Sequence, residues 1–296
     1  MNAVATTGQR DQALRAMPGV FVLIWSTGFV VARYGMPHAP PLGFLALRFG
    51  LSVLAFGAWI ALTRPAWPQG RAQWWHLAAT GVLLHAGYLG GVWAAVKLGL
   101  GAGTVALVVG LQPVLTALWV SATGQEHRIA PRQWAGLGLG LLGLMLVVWH
   151  KLGVGEISPA TLTLAVLALL CITAGTLYQK RFVAPCDFRT ASAVQLAAAC
   201  AVLVPGALLE PGHFDWHPHA IGAMAWSVLA LTLGASSLLY LMIQRGAATR
   251  VTSLMYLVPP CTAVLARLLF DEHLSATVIS GMLLTALGVG LVVKQR

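Results

Sequence analysis

Ten stretches of about twenty mostly apolar residues follow one another along this chain, near residues 18–35, 41–63, 73–97, 102–122, 132–150, 158–180, 188–209, 219–244, 249–270 and 274–293. A helix that crosses the hydrocarbon core of a bilayer needs about 20 such residues. In lipid every backbone polar group must be satisfied within the protein, which a helix does unaided. The connections are short, so no separate soluble domain fits between the spans. Charged residues make up 9% of the chain and hydrophobic residues 58%, with a mean hydropathy of +0.80. A soluble domain carries about 25% charged residues. The reading is an all-α integral membrane protein with ten transmembrane helices.

The segment MNAVATTGQRDQALRAMPG is polar and runs into an apolar stretch too long for the core of a cleavable signal. The first span is therefore expected to persist. The net charge of +10 raises the question of a nucleic-acid partner. The basic residues do not gather on one soluble face, so none is expected. With the N-terminus in the cytoplasm, 13 of the 18 Lys and Arg residues fall in cytoplasmic segments. Arg33, Lys97, Lys151 and Arg267 fall outside, and Arg48 lies within a span. This positive-inside bias places both tails, 1–17 and 294–296, in the cytoplasm. The expected setting is a cell membrane, as in a bacterial inner membrane, with the lipid bilayer and a small-molecule substrate as partners.

The chain repeats itself. LQPVLTALWVSATGQEH at 111–127 aligns without a gap on LVPPCTAVLARLLFDEH at 257–273, placing Pro113 on Pro259, Glu126 on Glu272 and His127 on His273. One deletion then places Gly136 and Gly143 on Gly281 and Gly288. STGFVVAR at 26–33 aligns on TAGTLYQK at 173–180, placing Arg33 on Lys180. The first copy spans 18–150 and the second 158–293, joined by a periplasmic connection at 151–157. Each copy holds five helices. An odd number makes the second copy enter the membrane from the opposite side, as in secondary transporters whose substrate site lies at the repeat interface near the midplane.

The segments WSTGFVVARYG and ALRFG, the run LQPVLTAL…GQEHRIAPRQWAGLGLGLLGLML and its echo PPCTAVLARLLFDEHLSATVISGMLLTALGVGLVV resemble the ten-helix EamA-type exporters of the drug/metabolite transporter superfamily. The resemblance covers essentially the whole chain. It implies two inverted five-helix halves around a central cavity lined by the first, third and fourth helix of each. It also implies export of amino acids, other metabolites or drugs. One local departure stands out: Gln195 lies near the place where the first copy has Arg48.

All eight acidic residues fall in tails or connections, so no carboxylate is expected at mid-membrane. Proton-coupled carriers use such carboxylates in their relays, and tight coupling to protons is not expected here. The mid-span titratable group is His85, with Tyr88 at i+3 on the same helical face. The imidazole either packs against a neighbouring helix or lines a cavity. Trp25, Gln112, Tyr178, Tyr240 and Tyr256 lie in other spans, and with His85 and Tyr88 they form the candidate substrate-binding set. Together they describe an amphipathic aromatic cavity without fixed charge. Arg48 either binds an anionic substrate group or, as is expected, snorkels outward or pairs with backbone carbonyls or an outer acid. Pro113, Pro259 and Pro260 interrupt mid-membrane helices and are the candidate hinges, because proline removes a backbone donor. Glu126 and Glu272 precede helices five and ten and suit their N-termini. Trp59, Trp67, Trp74, Trp75, Trp134, Trp149 and Trp216 lie at span ends, as in interfacial belts. The glycines of GLGLGLLG permit close helix packing.

No span carries paired carboxylates, an HExxH motif or a GxSxG elbow, so no catalytic residues are assigned and an intramembrane enzyme is the disfavoured alternative. His213, His217 and His219 lie beside Glu210 and Asp215 in EPGHFDWHPH, but their spacing is irregular; no metal site and no cofactor are assigned. The expected function is secondary export of small neutral or zwitterionic metabolites, amino acids first and aromatic ones favoured, with a drug or other-metabolite permease as the alternative.

Overall fold

The computed structural model describes residues 7–122, 131–153, 157–238 and 257–293. Among them are ten helices and no strand. They are α1 (Thr7–Gly35), α2 (Pro41–Thr63), α3 (Arg71–Lys97), α4 in two segments (Ala102–Val109 and Gln112–Ala122), α5 (Pro131–Gly153), α6 (Pro159–Phe182), α7 (Phe188–Leu209), α8 (Pro218–Leu238), α9 (Val258–Phe270) and α10 (Ala276–Val293). Eight are long and apolar enough to cross a membrane; α9 and α10 are shorter and apolar. Tyr240, Tyr256 and Glu126 lie outside the described residues.

Local chemistry sets the helix starts. Pro41, Pro159 and Pro218 occupy first turns, where the missing N–H has no helical partner to lose. Ser158 and Thr161 cap α6 reciprocally. At the start of α7 the Asp187 carboxylate accepts from the Arg189 backbone N–H at 2.9 Å and from the Arg189 guanidinium at 2.7 Å. The guanidinium holds the Asp187 carboxyl below the usual carboxylate range. α1 begins at Thr7, well before the apolar stretch, because residues such as Gln9, Arg10 and Ala13 are good helix formers.

Short connections make successive helices antiparallel. The 36–40, 98–101, 210–217 and 271–275 connections therefore gather at one end of the bundle, termed the far end. The 64–70 and 183–187 connections gather at the other, the near end. The packing follows the two-fold relation between the copies. α2 packs on α7, α4 on α9 and α5 on α10, each helix against its own counterpart, and α3 on α6 is matched by α1 on α8. Glycines make the closest of these contacts. A Cβ on Gly143 would strike the Gly281 carbonyl, and one on Gly288 would meet the Gly136 carbonyl at 2.5 Å. Large apolar side chains such as Leu54, Leu62, Leu142 and Leu268 point outward, as lipid permits.

The proline breaks differ from simple kinks. α4 stops at Val109 and restarts at Gln112, because the Pro113 ring clashes with the carbonyl four residues earlier. Pro259 and Pro260 lie in the first turn of α9. Gly110, in the α4 break, is so close to Pro259 that a Cβ there would lie 2.8 Å from the proline ring. The α4 break thus abuts the proline pair of the other half.

Carboxylates and one lysine close the far end. Glu210 accepts from the N–H groups of Leu42 and Gly43 at 2.8 and 3.1 Å, and Lys97 donates to the carbonyls of Met36 and Ala39 at 2.6 and 3.2 Å. Glu272 does not serve the start of α10. It accepts from Ala102 N–H at 3.0 Å, at the start of α4, and lies 3.6 Å from Arg33. The inverted repeat brings the α9–α10 connection over α1 and α4, and there a helix N-terminus and a cation attract the carboxylate together.

Candidate functional site

The mid-membrane polar group is built where α2 and α7 meet α3 and α8. Gly81 lets α3 touch the backbone of Gln195 on α7; any Cβ at this position would collide with it. Directly after it, α3 widens into a π-helical segment, Val82–Gly87, which carries His85. α8 does the same at Ser227–Ala235, which carries Thr232. π-helical segments are rare and concentrate at functional sites. The register of the repeat that puts Arg33 on Lys180 also puts Arg48 on Gln195 and His85 on Thr232. The structure honours this register twice. Arg48 Nη2 donates to Thr232 Oγ1 at 3.3 Å, joining α2 to α8. His85 interacts with the Gln195 side chain, joining α3 to α7. These are one contact and its two-fold image, with a cation in the first half and an imidazole in place of the second hydroxyl.

Arg48 is only 6% exposed. Its guanidinium lies 5.9 Å from the ring centroids of both Phe49 and Trp93, within cation–π range. Trp93 is in turn stacked on Phe44 at 4.5 Å. Tyr88, buried one turn beyond His85, is near enough to Arg48 for electrostatic interaction. The His85 ring meets Phe49 edge-on at 5.8 Å. Thr232 Oγ1 donates onward to the Ser227 carbonyl at 2.8 Å. Among the described residues three buried polar atoms are left without a hydrogen-bond partner: Arg48 Nε, Ser52 Oγ and Ser227 Oγ. Among the described residues no carboxylate pairs with Arg48.

Two sequence-based expectations are thereby corrected. Arg48 does not snorkel outward or pair with an outer acid, because aromatic rings enclose it and Thr232 holds it inside. The polar centre consequently does contain a fixed charge.

The expected site residues do not all come together. His85 and Tyr88 share the central group. Trp25, half-buried on α1, lies 5.3 Å from Phe21, and the carbonyl of its neighbour Ser26 accepts from Thr262 Oγ1 of α9 at 3.1 Å. Gln112 Nε2 donates to Thr176 Oγ1 at 2.9 Å, linking α4 to α6. Tyr178 belongs to the near end, where its hydroxyl lies 2.9 Å from His76 Nδ1. His76 precedes His85 by about 13 Å along α3, at 1.5 Å per residue. Thr232, Trp93 and His76 escaped notice in the sequence. Only Thr232 had a signal there, the register of the repeat applied to His85.

The pattern of the EamA-like transporter family matches the chain twice, over residues 20–149 and 160–294. The chain belongs to this family. Its duplicated pattern coincides with the two halves described above. Members or relatives similar to this chain include a probable amino-acid metabolite efflux pump of Escherichia coli, 24% identical over 90% of both chains. A protein of the same description from Salmonella typhimurium is 28% identical, over 54% of this chain and 51% of that relative. An uncharacterized inner membrane transporter of E. coli, YedA, is 26% identical over 86% of this chain and 81% of its own. A crystal structure 20% identical superposes with a TM-score of 0.63 over 93% of this chain and 95% of that one, a likeness of fold. EamA-like proteins with these descriptions make the present chain a membrane transporter.

Proposed function

We propose that the chain exports small zwitterionic metabolites, amino acids foremost, from the cytoplasm across a bacterial inner membrane, and that Arg48 receives the carboxylate of the cargo. One observation carries this reading: a guanidinium buried at the crossing of the two repeats, with a free Nε–H beside it and no carboxylate partner among the described residues. Removing a lone charge from water costs several kcal/mol unless it is paired. The planar fork of a guanidinium fits a carboxylate in two parallel hydrogen bonds. Cargo that brings its own carboxylate relieves the unpaired cation, and its departure restores it, so binding stays moderate. Phe49, Trp93 and Tyr88 supply apolar walls for an aromatic side chain. The relatives described as amino-acid metabolite efflux pumps point the same way.

Transport follows alternating access. The two halves rock about the site, with Pro113, Pro259 and Pro260 as hinge positions, and His85, Tyr88, Trp25 and Gln112 meet the cargo along the path. Tyr178 adds an aromatic ring on the near side, which faces the cytoplasm; Tyr240 and Tyr256 are the further candidates for contact with the cargo. The test is efflux from proteoliposomes loaded with an amino acid, its carboxyl-free amine or its amide. The amino acid is expected to leave fastest. Arg48→Gln should weaken amino-acid binding roughly 10- to 100-fold, the worth of a hydrogen-bonded charge, and leave the amide unaffected. Equal efflux of amine and amino acid by the wild type would point to the drug-permease alternative.

A further inference from the structure

The far end holds a polar group that transport does not use. His38, in the α1–α2 connection, comes from the first half; His217 and His219, at the start of α8, come from the second. Their ligating nitrogens all lie within 4.8 Å of one another. The His38 and His217 rings are parallel at 4.1 Å, and the His219 ring stands edge-on to them at 6.0 and 4.7 Å. His213, singled out with them in the sequence, is not in the cluster, and Glu210 is committed to the start of α2.

We propose that His38, His217 and His219 form a binding site for a divalent transition-metal ion of the Zn²⁺ class, fastening the α1–α2 connection to the α7–α8 connection. Three imidazoles and a water make a tetrahedral zinc shell, and imidazole suits Zn²⁺, Cu²⁺ and Ni²⁺. The surroundings already orient one ligand. His38 Nδ1 lies 3.1 Å from Asp215 Oδ2, and Asp215 N–H donates to the His38 carbonyl at 2.8 Å. A carboxylate on the second ring nitrogen fixes the tautomer and presents Nε2 to the metal, the arrangement usual behind a zinc-bound histidine. His217 Nδ1 accepts from the His219 N–H at 3.2 Å, a long contact that metal ligation at this nitrogen displaces. Tetrahedral bonds of 2.0–2.1 Å bring ligand nitrogens to about 3.4 Å from one another. His219 is exposed and can turn to close the remaining gap. The site lies at the far end, apart from Arg48, and stands or falls without the transport reading.

Full-length protein, freed of any tag and stripped with EDTA, is titrated with ZnCl₂ by calorimetry. One saturable site per chain is expected, with a zinc-dependent rise in unfolding temperature. His38→Gln and His219→Ala should each weaken binding at least tenfold and abolish the thermal shift. Asp215→Asn should weaken it about 10- to 100-fold by loosening His38. His213→Ala should bind like the wild type. The proposal fails if the wild type shows no saturable site, or if His38→Gln, monodisperse by size exclusion, binds zinc as before. It fails equally if His213→Ala loses as much affinity as His38→Gln, since the ion is then held loosely by loop imidazoles.

Discussion

At position 85 an imidazole takes the place that Thr232 holds in the other half, and at position 48 a guanidinium takes the place of Gln195. The duplicated scaffold needs only a pair of hydrogen-bonding groups at each crossing. The cation and the imidazole are additions to it, and additions of this kind inside lipid mark function. His85 and Tyr88 were legible in the sequence because imidazole is uncommon in an apolar span and i+3 spacing fixes a shared face. The burial of Arg48 was not legible, because it depends on rings from two helices, Phe49 and Trp93, closing over it. Thr232 was hidden by chemistry: a threonine is unremarked in a helix that can absorb its hydroxyl. If His85 is a hydrogen-bonding group rather than a proton carrier, His85→Gln should keep its link to Gln195 and sustain downhill efflux, whereas His85→Ala should not. Collapsing the proton gradient should leave wild-type efflux running. Loss of efflux on collapse, together with its rescue from pH dependence by His85→Gln, would reassign the imidazole to proton transfer.

Among the elements, the spans were read from apolar length alone and their ends agree with the helices to within a few residues, apart from the polar start of α1 and from the expected ends at 244 and 249, which lie outside the described residues. What the pattern did not carry was the widening of α3 and α8. A π-helical segment adds one residue to a turn without altering hydrophobicity, so composition is blind to it. Nor did it show which connection Glu272 serves, since that depends on which helix end the other half brings within reach. The glycines were legible as packing sites, and the structure adds their partners. Gly143→Ala places a methyl group against the Gly281 carbonyl and Thr285. Overpacking of this kind costs about 1–3 kcal/mol, so its unfolding temperature in detergent should fall. Gly138→Ala on the same helix meets nothing within 4 Å and should be neutral or slightly stabilising. Identical behaviour of the two variants would remove the α5–α10 contact from the account.

For the whole molecule, the inverted repeat was visible as one proline-to-glutamate spacing written twice, and the helix pairing obeys it throughout. Orientation rests on the basic residues. In a cysteine-free background, cysteines restored at 186 or introduced at Gln69 should react only with permeant reagents, and one at Gly212 with impermeant reagents too. The reverse pattern at two of these positions would turn the molecule over.

The glycine contacts reach further. Gly143 meets Gly281 and Gly288 meets Gly136, and the alignment exchanges these two pairs. Such reciprocity is that of an isologous dimer interface, here with its axis lying in the plane of the bilayer and its subunits joined head to tail by a linker. A frame of that symmetry looks the same from either side of the membrane and has no inherent upstream or downstream. Any sense of direction must be written on the frame by groups that break the symmetry: the lone guanidinium against its glutamine image, and the three histidines gathered at the far end.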